Sequence, residues 1–250
     1  MRALGPWFTI LAGFAAAATA SAAARDWLPP GFVYLRDADA SIVQDMRYAG
    51  ADNFTGRALP GYGAAECVLR RDAAEALARV QADLAPQNLG LKVYDCYRPA
   101  RAVAAMARWS RSAGDDTRRF YPALDKSRLF TLGYIAAHSA HSTGTAVDLT
   151  IVRRGAAAAS FDPRAHYGPC TAPAAERAPD TSLDMGTGFD CFDPKSFTRS
   201  AAITGEQRRA RDTLLAAMRK RGFHNYFREW WHFNFGPQPA RAYDFPIGPR

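Results

Sequence analysis

Helical periodicity is clearest between residues 72 and 84. Apolar residues recur there at the three- and four-residue spacing of a single helix face, which predicts an amphipathic helix packed on a sheet. Those positions are Ala73, Ala76, Leu77, Val80 and Leu84. Pro86 and Gly90 follow, and both residue types end helices. A second helix is predicted from Thr204 to Gly222, because it starts with the capping-box pattern Thr-Gly-Glu-Gln and ends at a glycine cap.

Two runs rich in β-branched and aromatic residues predict strands. The first covers residues 91–97 and stops at Arg98-Pro99, because proline biases the preceding residue to extended geometry. Arg98 is therefore expected to project from the end of a strand, and Pro99 suits the first turn of a further helix. The second strand is predicted over residues 146–152, with Asp148 near its start.

Residues 153–183 show no clear periodicity and are rich in Ala, Pro, Asp and Arg. Long segments of this kind usually run over the surface, so we expect an excursion there rather than a core element. No linker, repeat or low-complexity tract divides the rest of the chain. Residues 25–250 are therefore predicted to form a single domain.

The amino-terminal segment has the pattern of a secretory signal peptide over residues 1–24. A single charge at Arg2 precedes a short apolar run and an alanine-rich tail with small-x-small cleavage sites. The apolar run is short for a spanning helix and contains Pro6 and Gly13, so we expect removal rather than anchoring. The prediction is an exported, periplasmic protein with no stable membrane insertion.

The chain is basic, with a formal net charge of +8 that loss of Arg2 with the signal lowers by one. The basic residues are scattered and no nucleic-acid-binding motif accompanies them, so nucleic acid is not a predicted partner. Loose attraction to an anionic cell envelope is the better interpretation. The sequence does not set the oligomeric state.

The four cysteines favour disulfides, because an exported chain meets an oxidising environment. None is spaced as Cys-x-x-Cys, which makes a cysteine zinc site a poor explanation. Of the three possible connectivities we favour Cys67 with Cys96 and Cys170 with Cys191, on sequence proximity alone.

Candidate metal ligands lie in the stretch Ser-Ala-His-Ser-Thr-Gly-Thr-Ala-Val-Asp, residues 139–148. In an extended chain the side chains of His141 and Asp148 would be roughly 23 Å apart, so a shared metal ion requires the backbone to turn between them. Gly144 supplies the conformational freedom for that turn. The stretch alone is also compatible with a polar loop entering a core strand, with Asp148 as a turn residue.

A third candidate ligand lies in Glu-Trp-Trp-His-Phe, residues 229–233. His141, Asp148 and His232 would form a nitrogen, nitrogen, oxygen set with a fourth position open to water, which is typical of catalytic zinc. Glu229 would then stand beside the metal as the candidate general base. The alternative for this second stretch alone is a tryptophan-rich core strand with a hydrogen-bonded histidine.

These motifs resemble the zinc D-alanyl-D-alanine dipeptidases of the VanX type. The resemblance rests on Ser-x-His-x-x-Gly-x-Ala-x-Asp at residues 139–148 and Glu-Trp-Trp-His at residues 229–232. Further matching positions cover nearly the whole mature chain. They are Tyr48, Asp52-Asn53-Phe54-Thr55-Gly56, Tyr97-Arg98-Pro99, Gly133-Tyr134, Met185-Gly186, Phe189-Asp190 and Phe245-Pro246.

The resemblance implies both a fold and a set of residue roles. The fold would be α+β, as in the D,D-carboxypeptidases of the hedgehog-like fold: a central, mostly antiparallel sheet flanked by helices, with one zinc ion per chain in a cleft over the sheet. The substrate would be a small dipeptide, D-Ala-D-Ala, cleaved in cell-wall peptide metabolism. The implied zinc ligands are His141, Asp148 and His232, the catalytic residues Glu229 (base) and Arg98 (transition state), and the substrate-ammonium contacts Asp190, Tyr48 and Ser139.

Three features depart from the cytoplasmic resistance enzymes of this family: the signal peptide, the cysteines and the excursion at residues 153–183. They leave the zinc chemistry unchanged but keep the exact substrate open. A related D,D- or L,D-carboxypeptidase that trims peptidoglycan stem peptides would keep the same zinc ligands. A non-catalytic peptidoglycan-binding module would not need Glu229 or Arg98, and an exported structural domain would need no metal.

Overall fold

The computed structural model describes residue 1 and residues 28–114, 117–237 and 241–250. The predicted signal peptide, residues 1–24, therefore lies outside the described residues apart from Met1. Within those ranges no helix combines the length and the apolar character needed to cross a membrane.

Seven strands are formed in the described part of the chain. They are β1 (Phe32–Tyr34), β2 (Val43–Gln44), β3 (Val68–Arg70), β4 (Leu89–Asp95), β5 (Ala146–Arg153), β6 (Phe223–Asn225) and β7 (His232–Phe235). Five of them form the central sheet in the order β2-β4-β5-β7-β6, and β1 pairs with β3. In the central sheet β2 and β4 are parallel, whereas the other three pairs are antiparallel. The prediction of a mostly antiparallel sheet is confirmed.

Helices accompany the sheet, as the α+β prediction requires. Those in the described residues are α1 (Leu35–Ala38), α2 (Arg71–Leu84), α3 (Ala100–Trp109) and α4 (Gly205–Lys220). The predicted stripe of α2 is buried along its whole length. At α4 the hydroxyl of Thr204 accepts from the Gln207 amide, and the Gln207 side chain accepts from the Thr204 amide, so the capping box is confirmed.

Strand β4 is buried at all of its positions, as is most of β5, so these two strands form the centre of the core. The sequence predicted the first strand at residues 91–97, and β4 begins and ends two residues earlier. Pairing with β5 becomes irregular between Val93 and Asp95. Beyond it the amide of Tyr97 donates to the Val68 carbonyl of β3 instead, and this leaves Arg98 past the end of the strand.

The segment 153–183 is mostly irregular, with one turn of 3₁₀ helix at Ala174–Glu176. Most of its residues are exposed, as predicted for a surface excursion, but Asp180 reaches the sheet. Its carboxylate accepts from Lys92 Nζ at 2.7 Å and from Arg47 Nη2 at 3.0 Å. The Lys92 side chain is fully buried on β4, and a buried ammonium needs an opposite charge.

Two disulfides tie loops to this frame. The structure joins Cys67 to Cys96 and Cys170 to Cys191, which is the connectivity favoured from the sequence. The first links the start of β3 to the residue that follows β4. The second links the excursion to the segment that carries Asp190.

Candidate active site

The candidate site residues come together in one cleft of about 880 Å³. Segments from five separate parts of the chain contribute to its wall. The residues singled out from the sequence that line it are Tyr48, Arg98, Ser139, His141, Asp148, Asp190, Glu229 and His232. Each of them is buried or half-buried.

A tight turn separates the first two candidate ligands. Residues Ala140–Thr143 form a turn of 3₁₀ helix, and the Ser139 hydroxyl caps it by accepting from the His141 amide at 3.3 Å. Gly144 follows with φ +80°, so the predicted turn is confirmed. A Cβ at this position would meet the ring of Phe32 at 2.3 Å, so the turn requires glycine for space as well as for its backbone angle.

Strand register brings the remaining ligand to the same place. Asp148 on β5 lies directly opposite His232 on β7, although the two are 84 residues apart. On the other side of β5, Asp148 lies opposite Asp95 on β4. Three polar residues therefore stand in one row across three neighbouring strands, at the edge where the His141 turn enters β5.

The donor atoms of the three candidate ligands converge on one point. His141 Nε2 lies 3.1 Å from His232 Nδ1 and 3.3 Å from Asp148 Oδ1, and the last two atoms are 2.9 Å apart. Zinc bonds of about 2.0–2.1 Å in tetrahedral geometry separate donors by about 3.3 Å. The spacing therefore fits one metal ion of this size.

Neighbouring hydrogen bonds are compatible with the histidine tautomers that a metal would require. His141 Nδ1 lies 2.7 Å from the Cys96 carbonyl, which can only accept, so Nδ1 carries the proton and Nε2 presents a lone pair. His232 Nε2 lies 3.3 Å from Asn234 Oδ1, which leaves Nδ1 facing the other two ligands. In the His232 tautomer that donates from Nε2 to Asn234, the two nitrogens that face each other are both acceptors, and a metal ion between them would bind both.

The charges of the ligand set support one another. Burial alone would raise the pKa of Asp148, but His141 and His232 beside it hold that pKa well below its usual range. Burial opposes protonation of His232, yet its hydrogen bond to Asp148 raises the histidine pKa. The aspartate is therefore ionised and available as a metal ligand at neutral pH.

Glu229 stands next to the ligand set without joining it. Its Oε2 lies 4.0 Å from His232 Nδ1, and its side chain is 17% exposed. Burial raises the pKa of Glu229 to about 7, although the neighbouring His232 lowers it. A carboxyl with a pKa near neutrality can both accept and return a proton, which is the requirement for general acid–base catalysis.

Arg98 presents its guanidinium to the same cleft. Its Nη2 lies 3.5 Å from Asp148 Oδ2, and its Cζ stacks 4.8 Å from the centre of the Tyr48 ring. Burial would lower the pKa of Arg98, but Asp95, whose Oδ2 accepts from Nε at 2.8 Å, holds it well above its ordinary value. The arginine is a fixed positive charge close to the candidate metal.

Asp190 and Tyr48 form the polar end of the cleft. The Tyr48 hydroxyl donates to Asp190 Oδ2 at 2.6 Å. Asp190 has φ +54°, a left-handed conformation that aspartate tolerates better than most residues. Burial, followed by repulsion from Asp148, raises the pKa of Asp190 well above its ordinary range, so a cationic group bound here would favour its ionised form.

Two residues of the site were not predicted from the sequence. Asp95 is fully buried on β4, and its Oδ1 accepts from the Tyr62 hydroxyl at 2.6 Å. Burial raises the pKa of Asp95, whereas Arg98 and His141 lower it. The available signal was a carboxylate at the end of a mostly apolar strand, three residues before Arg98. Tyr62 carries no comparable signal, since it comes from an irregular segment.

Comparison with known proteins agrees with this geometry. Residues 30–160 and 177–247 match the D-ala-D-ala dipeptidase family, so the central part of the excursion, residues 161–176, lies between the matched segments. The D-alanyl-D-alanine dipeptidase of Enterococcus faecium is 31% identical over 223 residues, covering 87% of this chain and 98% of the relative.

Dipeptidases from other bacteria are similar to this chain to a comparable degree. The D-alanyl-D-alanine dipeptidase of Streptomyces coelicolor is 33% identical over 222 residues, covering 86% of this chain and 98% of the relative. That of Escherichia coli is 33% identical over 196 residues, covering 78% of this chain and 79% of the relative. The chain therefore belongs to the D-ala-D-ala dipeptidase family of metallopeptidases.

Proposed function

We propose that this protein is a zinc-dependent dipeptidase that hydrolyses D-alanyl-D-alanine to two molecules of D-alanine. The observation that carries the proposal is the convergence of His141, Asp148 and His232 donor atoms within 3.3 Å of one another, with Glu229 4.0 Å from this set. Family membership favours this substrate, because the relatives named above bear that activity in their names.

The donor set favours zinc over harder cations. Two imidazole nitrogens and one carboxylate oxygen are the ligand types of catalytic zinc, whereas magnesium and calcium prefer oxygen ligands throughout. A zinc ion held by His141, Asp148 and His232 would polarise the peptide carbonyl and increase the acidity of water in the cleft.

Glu229 is proposed as the general base. It takes a proton from the attacking water and returns it to the nitrogen of the leaving D-alanine, so that the amine departs neutral. Its pKa of about 7, raised by burial, suits both transfers.

Arg98 is proposed to stabilise the negative charge that develops on the carbonyl oxygen. It is half-buried, remains charged, and lies 3.5 Å from Asp148, so its charge is already in place when the oxyanion forms. Preorganised charge in a water-poor site is the arrangement that most favours an anionic transition state.

Asp190, Tyr48 and Ser139 are proposed to bind the ammonium group of the substrate. A buried ammonium needs a negative partner, and the Asp190 carboxylate, held by the Tyr48 hydroxyl at 2.6 Å, supplies one in the cleft wall. A longer peptide presents no amine at this point. The site should therefore favour free dipeptides over the ends of stem peptides.

We also propose that the protein acts outside the cytoplasm, in the periplasm, on cell-wall peptides. Residues 1–24 have the pattern of a signal peptide, and residues 25–250 would then form the mature catalytic domain. The pairs Cys67–Cys96 and Cys170–Cys191 are compatible with an oxidising compartment.

Substrate comparison with the purified, zinc-loaded protein tests this function. We expect release of D-alanine from D-Ala-D-Ala, and much slower cleavage of N-acetyl-D-Ala-D-Ala, L-Ala-L-Ala and a stem pentapeptide. The acetylated substrate is the matched control, since it differs only at the amino terminus, where a neutral acetamide replaces the ammonium group. Equal or faster cleavage of the pentapeptide would instead assign the protein as a carboxypeptidase, the alternative that keeps the same metal ligands.

A further inference from the structure

We propose that Asp95 is a positioning residue for Arg98: its carboxylate sets the orientation of the guanidinium that faces the reacting carbonyl. The inference rests on the proposed function, because it concerns the arginine assigned there to the transition state. Asp95 itself touches neither substrate nor metal in this scheme.

The contact between the two residues is specific to one atom of the arginine. Nε of Arg98 donates to Oδ2 of Asp95 at 2.8 Å, and the carboxylate is fully buried. A guanidinium is planar, so a bond at Nε fixes the plane and leaves both terminal nitrogens for other partners. Of these, Nη2 lies 3.5 Å from Asp148 Oδ2, and Nη1 lies 3.7 Å from the sulfur of Met106.

A hydrogen bond and the strand pairing together fix the position of the Asp95 carboxylate. Its Oδ1 accepts from the Tyr62 hydroxyl at 2.6 Å, which leaves Oδ2 for the arginine. The irregular pairing between Val93 and Asp95 places Asp95 opposite Asp148, in the row of polar residues that crosses the sheet. The carboxylate is therefore fixed by backbone pairing and by a buried hydroxyl.

Asp95 also lies close to a candidate metal ligand, but that contact is secondary. Oδ2 is 3.4 Å from His141 Nδ1, whereas the same nitrogen lies 2.7 Å from the Cys96 carbonyl. The carbonyl therefore takes the His141 proton. It follows that loss of the Asp95 charge should alter the arginine and leave the metal in place.

The primary test is Asp95→Asn in the zinc-loaded protein. The amide keeps the shape of the side chain but removes its charge. We therefore expect kcat for D-Ala-D-Ala to fall by about 10- to 100-fold, the loss that is typical when a residue supporting an active-site group is replaced. KM and zinc content should change little, since the effect is confined to the transition state. The melting temperature should fall, because Asp95→Asn leaves the Arg98 guanidinium without its buried carboxylate partner, so the kinetics are measured well below the unfolding transition of the variant. Tyr62→Phe is the matched control: it loses the bond to Oδ1, keeps the arginine contact, and should lose less activity.

Chemical rescue separates positioning from a general structural role. Arg98→Ala should be slow, and guanidinium at millimolar concentration should restore part of its activity by occupying the vacated site. The same addition should fail in Asp95→Asn/Arg98→Ala, because no carboxylate remains to orient the ion. Without guanidinium, the double variant should be no slower than Arg98→Ala alone.

The outcomes distinguish failure of the inference from failure of its premise. An Arg98→Ala protein with unchanged kcat would remove the arginine from the proposed mechanism, and with it the basis for this inference. A slow Arg98→Ala protein beside an Asp95→Asn protein of normal kcat would overturn the positioning role alone. Loss of zinc in folded Asp95→Asn, or equal rescue with and without the aspartate, would also overturn it.

Discussion

Asp148 and His232 lie directly opposite each other on β5 and β7, with Asp148 Oδ1 2.9 Å from His232 Nδ1. Backbone pairing of two strands therefore sets the distance between two proposed ligands. The third, His141, arrives through the turn that ends at Gly144. The proposed metal site is thus built on paired strands of the central sheet, which favours a preformed geometry.

Removal of either histidine ligand is expected to abolish metal binding and activity together. His141→Ala and His232→Ala each leave two ligands, too few for a tightly bound catalytic zinc. His166→Ala is the matched control, since this histidine is exposed and lies outside the cleft. Metal analysis after dialysis, followed by an assay on the same samples, measures both. Full zinc content in either ligand variant would contradict the assignment.

Gly144→Ala is expected to disrupt the ligand turn and not merely strain it. The new Cβ would meet Phe32 at 2.3 Å, in addition to the cost of a left-handed backbone, about 1–2 kcal/mol. Gly155→Ala is the control, because that glycine also has φ +80° but has nothing within 4 Å of its Cβ position. Urea unfolding and zinc affinity should show a larger loss for Gly144→Ala. Equal losses in the two variants would remove the steric explanation.

The disulfide Cys170–Cys191 is expected to support substrate binding through Asp190. Cys191 directly follows Asp190, and the Gly188 amide donates to the Cys170 carbonyl at 2.8 Å, so the pair holds this loop against the excursion. Replacement of both cysteines by serine should raise KM for D-Ala-D-Ala at normal zinc content. The stability cost should be about 3 kcal/mol in the chain-entropy model.

The same double-serine variant can refute this role directly. A KM equal to that of the native protein would show that the disulfide contributes to stability and not to substrate binding. Peptide mapping without reduction provides the accompanying control, because it must find Cys170 linked to Cys191 in the native protein.

The parts of the fold that could be predicted are those with a local signal. The stripe of α2, the capping box of α4 and the glycine turn before β5 each depend on a few neighbouring residues, and all three are confirmed. Asp95 was not predicted because its role depends on register across the irregular pairing in β4. Asp180 was not predicted because its partner Lys92 is 88 residues away.

Asp180→Asn is expected to destabilise the protein at neutral pH and much less in acid. Burial would raise the pKa of Asp180, but Lys92 and Arg47 hold it well below its ordinary value. A lowered carboxyl pKa contributes stability above the ordinary value near 3.9, and this is lost as pH falls through the folded-state pKa. Asp180 is partly exposed and Asp45 Oδ2 remains 3.5 Å from Lys92 Nζ, so the cost at pH 7 should stay below the roughly 3 kcal/mol of a fully buried pair.

Urea unfolding at pH 7 and near pH 1.5 measures this difference, because the contribution is lost only as pH falls through the lowered folded-state pKa. Asp162→Asn is the matched control, because the exposed Asp162 also pairs with an arginine, Arg164, but lies in solvent, where such pairs contribute little. An equal loss of stability for Asp180→Asn at both pH values would show that packing, and not charge, accounts for its effect.

The most direct test of the central claim compares the native protein with Glu229→Gln, measuring zinc content and D-alanine release from D-Ala-D-Ala on the same preparations. We predict one zinc ion per chain in both proteins. Turnover should fall by about 10²- to 10⁴-fold in the variant, because Glu229 is proposed to move the proton and not to hold the metal. Removal of zinc by a chelator should abolish activity of the native protein, and added zinc should restore it. D-alanine release by the zinc-free protein, or by Glu229→Gln at the native rate, would contradict the claim.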